Sequence, residues 1–115
     1  MLAVFGRRRV LFLLAILLPK CLFADDIVTV AVASNFSVTA EAIATAFTRE
    51  SGVPVRISSG STGKLYVQII NGAPFDVFLS ADAERPLLLE RSGHIVTGSR
   101  RSYAIGALVL WSHDE

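Results

Sequence analysis

Three short apolar runs, each followed by a segment of helical period, constrain this chain more than anything else in it. Residues 27–33 (Ile-Val-Thr-Val-Ala-Val-Ala) are apolar and β-branched almost without interruption, the pattern of a strand buried on both faces, as in a parallel sheet. Beyond Ser34-Asn35, the residues Phe36, Ala40, Ile43, Ala44 and Phe47 fall on one face of an amphipathic helix. That helix is expected to stop at Ser51-Gly52, with Gly52 as its C′ residue and Pro54 just past it. Residues 53–57 predict a second strand, 64–71 a second helix and 75–79 a third strand; Ser80-Ala81-Asp82 supplies the cap of a third helix, which has Pro86 near its start and is carried by Leu87, Leu88 and Leu89 to Arg91-Ser92-Gly93. The apolar run 103–111 predicts a fourth strand. Strand and helix alternating in this way predict an α/β lobe of three layers, αβα, with a mostly parallel sheet.

Such sheets bind ligands beyond the carboxyl ends of their strands. Two turns rich in small donors fall there: Ala33-Ser34-Asn35-Phe36, and Ser58-Ser59-Gly60-Ser61-Thr62-Gly63-Lys64. Backbone N–H groups at a helix start lack intrahelical partners and carry partial positive charge, so each turn can cradle an anion. Ser34, Asn35, Ser61 and Thr62 each add a side-chain donor. The same four residues also suit helix caps, and the residues alone leave both roles open.

Other chemistries fare worse. A phosphate loop requires Gly where Ser58 stands and a hydroxyl where Leu65 stands. A nucleophile elbow around Ser61 requires Gly at Ser59. His94 and His113 are isolated and match no metal-ligand spacing. Asp76, at the start of a strand, is expected to hold a turn or face solvent rather than to catalyse. Lys64 is expected to be solvated rather than to neutralise an anion. The expectation is a binding protein without covalent chemistry, cofactor or directly bound metal.

The first 24 of the 115 residues differ in kind. Arg7-Arg8-Arg9, the apolar run Val10 to Leu18, and Leu22-Phe23-Ala24 ahead of Asp25-Asp26 have the layout of a secretory signal peptide, too short to span a bilayer. The arginines match a twin-arginine signal only loosely, and Pro19-Lys20 before Cys21 does not suit a lipid-attachment box. Cleavage after Ala24 would leave residues 25–115 with no cysteine, hence no disulfide or thiol chemistry. It would also leave seven Lys/Arg against ten Asp/Glu, a net charge of −3. That balance argues against a nucleic-acid partner, and an anion would have to be held by local dipoles and hydrogen bonds rather than net charge.

The blocks Val-Ala-Val-Ala-Ser34-Asn35-Phe, Ser59-Gly-Ser-Thr62-Gly-Lys-Leu-Tyr, Asn71-Gly-Ala-Pro-Phe-Asp76-Val-Phe-Leu-Ser-Ala-Asp82 and Ala104-Ile-Gly-Ala-Leu-Val-Leu-Trp111 resemble the periplasmic molybdate-binding proteins of ABC importers. The resemblance runs from about Ile27 through Trp111. It implies the two-lobed type II periplasmic binding fold, closing on a tetrahedral oxyanion, molybdate or tungstate. It also implies a membrane permease as partner, a monomer, and a periplasmic location. On the residues that match, it places the anion ligands of the first turn at Ser34 and Asn35, and those of the second at Thr62, with Ser61 beside it. The family is roughly twice as long, so the resemblance leads to the expectation that 25–115 is the N-terminal part of a solute-binding domain, with the second lobe missing. A non-functional remnant of such a protein and a phosphate-handling enzyme using Gly60 to Lys64 are the rival readings.

Overall fold

The computed structural model describes residues 27–112; the signal peptide expected at 1–24, and His113, lie outside the described residues. Three parallel strands form one sheet: β1 (Val28–Ala33), β2 (Val55–Gly60) and β3 (Val77–Leu79), in the order β2-β1-β3. The strand that comes first in the chain is therefore the central one. A single 3₁₀ turn (Ser34–Phe36) leads from β1 into α1 (Ser37–Ser51); α2 (Thr62–Ile70) follows β2, and α3 (Glu84–Arg91) follows β3. The α/β class and the parallel sheet are as expected from the alternation.

The two faces of the sheet are covered by different helices. Val28, Val30, Val55, Ile57, Val77 and Leu79 share a groove with Ala40, Ile43, Ala44 and Phe47 of α1. Side chains alternate across a strand, so Gly60 belongs to the opposite face from Val55 and Ile57. There a Cβ on Gly60 would lie 3.5 Å from Leu65 of α2. Leu65 and Leu89 are fully buried and, with Ala31, Val32, Ala33 and Ala40, form the core. The apolar face of α1 is covered only in part: Ile43 keeps 57% and Phe47 46% of its surface exposed.

The punctuation follows local chemistry. Gly52 ends α1 at φ 74°, the left-handed conformation that costs glycine nothing, and its N–H donates to the Thr48 carbonyl at 2.9 Å. Pro86 is the third residue of α3, within the first turn, where its missing N–H is not needed. Asp76 holds the entry to β3. Its Oδ2 accepts the Thr29 N–H at 2.7 Å, while its own N–H donates to the Thr29 carbonyl at 2.8 Å. It fastens an edge strand of three residues to the centre of the sheet, a cross-strand contact rather than the turn expected of it.

Two expectations are corrected. Ser58, Ser59 and Gly60 are not turn residues: they continue β2 and pair with Ala31, Val32 and Ala33. The ladder absorbs their backbone groups, so the turn shrinks to Ser61, and α2 begins at Thr62 rather than Lys64. The run 103–111 forms no strand; residues 104–111 are exposed, with Ile105, Leu108 and Leu110 almost fully so. A strand needs a partner as well as a pattern, and no described strand lies beside this one.

The Asp76 fastening yields a measurable expectation. Asp76→Ala removes one charge-assisted but exposed bond and should cost about 1 kcal/mol in urea unfolding, with an unchanged dependence on denaturant. A midpoint equal to that of the unaltered chain would show the bond to be incidental.

Candidate functional site

The sheet register places the site. Ala33 is opposite Gly60 in the β1–β2 ladder, and Val32 is opposite Leu79 in the β1–β3 ladder. The next residues out, Ser34 and Ser61, therefore leave the carboxyl edge side by side, and Ser80-Ala81 leave it level with them on the other flank. Adjacent strands lie about 4.8 Å apart, so three chain turns converge on an area small enough for one compact ligand. The sequence points to two of these turns. It reads Ser80-Ala81-Asp82 only as a helix cap, because the group that matters there is a backbone N–H, which no side chain advertises.

Ser34 and Asn35 are exposed at the start of the 3₁₀ turn. The Ser34 carbonyl is already occupied, accepting the Ser37 hydroxyl at 3.0 Å and the Ser37 N–H. The Ser34 hydroxyl and the Asn35 amide remain as outward-facing polar groups on the central strand's turn.

Ser61 and Thr62 divide their labour. Ser61 is the N-cap of α2: its Oγ accepts the Lys64 N–H at 3.3 Å. Thr62 reaches sideways, its Oγ1 accepting the Ala81 N–H at 3.2 Å from the neighbouring turn. Both hydroxyls act here as acceptors, and a hydroxyl with a lone pair so engaged still has one proton to donate. The capping role and the donor role, which compete in sequence, are compatible in this geometry. Lys64 itself is exposed.

The third turn is rigid. Ser80, with 8% of its surface exposed, donates its hydroxyl to the Asp82 carbonyl at 2.8 Å and accepts the Asp82 N–H at 3.2 Å. Asp82 caps α3, its Oδ1 accepting the Arg85 N–H at 2.9 Å while Oδ2 pairs with the Arg85 guanidinium. Partial burial works against the charged Asp82, but the hydrogen bonds and charge of Arg85 outweigh it and hold the carboxyl below its ordinary value of 3.8. The same guanidinium lies against Gly63, where an added Cβ would meet it at 3.6 Å. The Arg85 charge beside α2's first turn is therefore matched by Asp82. An anion on these turns would be met by neutral donors and helix N-termini.

Tyr103 closes the assembly from outside the three turns. Its hydroxyl donates to the Ser80 carbonyl at 2.8 Å, and its ring meets Phe36 edge-on, centroids 4.9 Å apart at 61°. Burial pushes its phenol above the ordinary 10.0, so it stays a donor at neutral pH. Nothing in the local pattern around Tyr103 signals this contact, which joins residues far apart in sequence.

His94 shares a 2.8 Å hydrogen bond with Ser92 beyond α3, and no group of three or more His, Cys, Asp or Glu occurs among the described residues. Residues 28–115 match the model of the bacterial extracellular solute-binding proteins. The chain is 53% identical over 85 residues to the molybdate-binding protein ModA of Azotobacter vinelandii, covering 74% of this chain and 34% of that protein. It is 49% identical over 87 residues to ModA of Rhodobacter capsulatus, covering 76% and 34%. The solved periplasmic molybdate-binding protein of Azotobacter vinelandii superposes with a TM-score of 0.67 at 48% identity, over 69% of this chain and 34% of that one. A substrate-binding domain from Clostridium difficile, 24% identical with a TM-score of 0.55 over 57% and 29% of the two chains, shares the fold. The chain thus spans about a third of the length of these relatives.

The Asp82–Arg85 pair gives the third turn a pH dependence. A carboxyl held below its unfolded value contributes stability that is present above that value and lost as the pH falls through the folded one. Stability of the unaltered chain should therefore fall more steeply below about pH 4 than that of Asp82→Asn, as read by urea unfolding. Parallel profiles would remove Asp82 from the acid response.

Proposed function

Because this chain belongs to the bacterial extracellular solute-binding protein family, we propose that it is a solute-binding component of a molybdate or tungstate ABC importer. It binds the tetrahedral oxyanion through Ser34, Asn35, Ser61 and Thr62 and the backbone N–H groups beside them. It acts in the periplasm as a monomer, hands its cargo to a membrane permease, and performs no covalent chemistry. The observation that carries this reading is the level register of the turns. Two adjacent parallel strands deliver Ser34 and Ser61 to the same edge, Ser34 opening the 3₁₀ turn that leads into α1 and Ser61 capping α2.

Physical chemistry supports the match of site to anion. Oxyanions offer only acceptors, and the four residues offer hydroxyl and amide donors. Thr62 and Ser61 have lone pairs engaged within the fold, which leaves their protons for an outside acceptor. Helix N-termini favour negative charge, and the Arg85 guanidinium beside α2's first turn is matched by Asp82. Molybdate and tungstate share shape and charge, so these donors serve either. Both ModA relatives are named for binding molybdate, which supports the same reading.

Titration of the isotopically labelled chain with molybdate, followed by amide NMR, tests the reading. The amides of residues 34–36 and 61–63 should shift together along one saturable curve, with tungstate reproducing it. Thr62→Ala should weaken binding by about 1.5–3 kcal/mol, the worth of a hydrogen bond to a charged group, and Thr62→Ser should retain it. Shifts no larger than those caused by chloride would refute the proposal.

A further inference from the structure

We propose that Tyr103 is a positioning residue for the oxyanion site, tying the Ser34–Phe36 turn to the Ser80–Asp82 turn and thereby aiming the Thr62 hydroxyl. The inference rests on the oxyanion reading above and adds to it a residue outside all three turns.

The need for such a residue follows from where the ladders stop. Strand pairing ends at Ala33 with Gly60 and at Val32 with Leu79. The turns beyond those pairs have no ladder between them, so their spacing depends on side-chain links. Among the described residues two such links are present, and they share the third turn. Tyr103 contacts the first turn through its ring, at Phe36, and the third through its hydroxyl, at the Ser80 carbonyl. One residue on, the Ala81 N–H donates to Thr62 Oγ1 in the second turn. The Ser80 carbonyl and the Ala81 N–H belong to the same peptide unit, which is planar. A pull on one fixes the direction of the other. The phenol thus sets the tilt of the peptide that holds the Thr62 hydroxyl.

This plane also decides where the Thr62 proton goes. With the Ala81 N–H on one lone pair, the O–H is directed away from the third turn. If the peptide rotates, the hydroxyl loses that constraint and must be ordered by the anion itself, at an entropic cost to binding. The edge contact of Tyr103 with Phe36 fixes the residue that follows Asn35, so the first turn's donors are held by the same side chain.

Two substitutions separate the two ends of Tyr103. Tyr103→Phe keeps the ring on Phe36 and removes the bond to Ser80; Tyr103→Leu removes both. In the molybdate titration, Tyr103→Phe should weaken binding about 3- to 10-fold, and Tyr103→Leu more. In a Thr62→Val background, Tyr103→Phe should cost less than about 2-fold, because its effect acts through the hydroxyl already removed. A purely structural tyrosine would lower affinity equally in both backgrounds. Unchanged affinity in Tyr103→Phe, or equal losses in both backgrounds, would overturn the proposal. If the unaltered chain binds no molybdate, the oxyanion reading fails, and the positioning role is still decided without ligand. Tyr103→Phe should then raise amide exchange at Ala81 while leaving Phe36 unchanged, and Tyr103→Leu should raise both. Exchange at Ala81 that stays at its original rate in Tyr103→Phe overturns it.

Discussion

The central strand's two parallel ladders are the constraint on which the other features depend. β1 pairs along its whole length with β2 and over three residues with β3. Parallel pairing with these registers brings the three carboxyl ends to one level. Everything of functional interest is a consequence of that levelling. A shift of one residue in either ladder would send each side chain of the shifted strand to the other face. Val55 and Ile57 would then leave α1, and the turn after β2 would no longer meet Ser34. The site is therefore only as well defined as the apolar alternation that fixes the register.

The polar groups at this edge are used economically. Ser61 caps a helix and Thr62 ties two turns together, and each does so as an acceptor. Asp82 caps α3 and holds Arg85, which in turn covers Gly63. The fold's own needs are met by lone pairs, carboxylate oxygens and carbonyls. What is left facing outward is mostly donors. That partition, rather than any single residue, gives the edge its suitability for an anion in a chain whose residues 25–115 carry a net negative charge.

Much of this was legible in the sequence, and the failures have physical causes. Apolar runs of period one and faces of period 3.6 located the strands and helices, because those patterns reflect burial. Gly52 and Pro86 were legible because their backbone restrictions admit few positions. Ser58–Gly60 suit a turn by composition, being small and polar, while their actual ladder depends on β1. The run 103–111 differs for the opposite reason: its composition suits a sheet, but pairing is a property of two segments. Ser34, Asn35, Ser61 and Thr62 were all placed at the edge as expected. The third turn was not, because its contribution is the Ala81 N–H. Tyr103 could not be found either, since its partners at Phe36 and Ser80 are distant in sequence and nearby only once the sheet has formed.

The central position of the first strand also imposes an order in time. A chain made from its N-terminus produces β1 before either partner. No ladder can close until residues 55–60 exist, and the second edge waits for 77–79 and the Asp76 fastening. Until then an apolar strand has both edges open. Pairings of such long sequence separation form slowly, and incomplete sheets of this kind are prone to aggregate. Such a topology delays commitment: the apolar central strand cannot reach its final state until residue 79 has been synthesised. A polypeptide meant to cross a membrane before folding would gain from that delay, and one folding in a crowded compartment would need a chaperone to cover it.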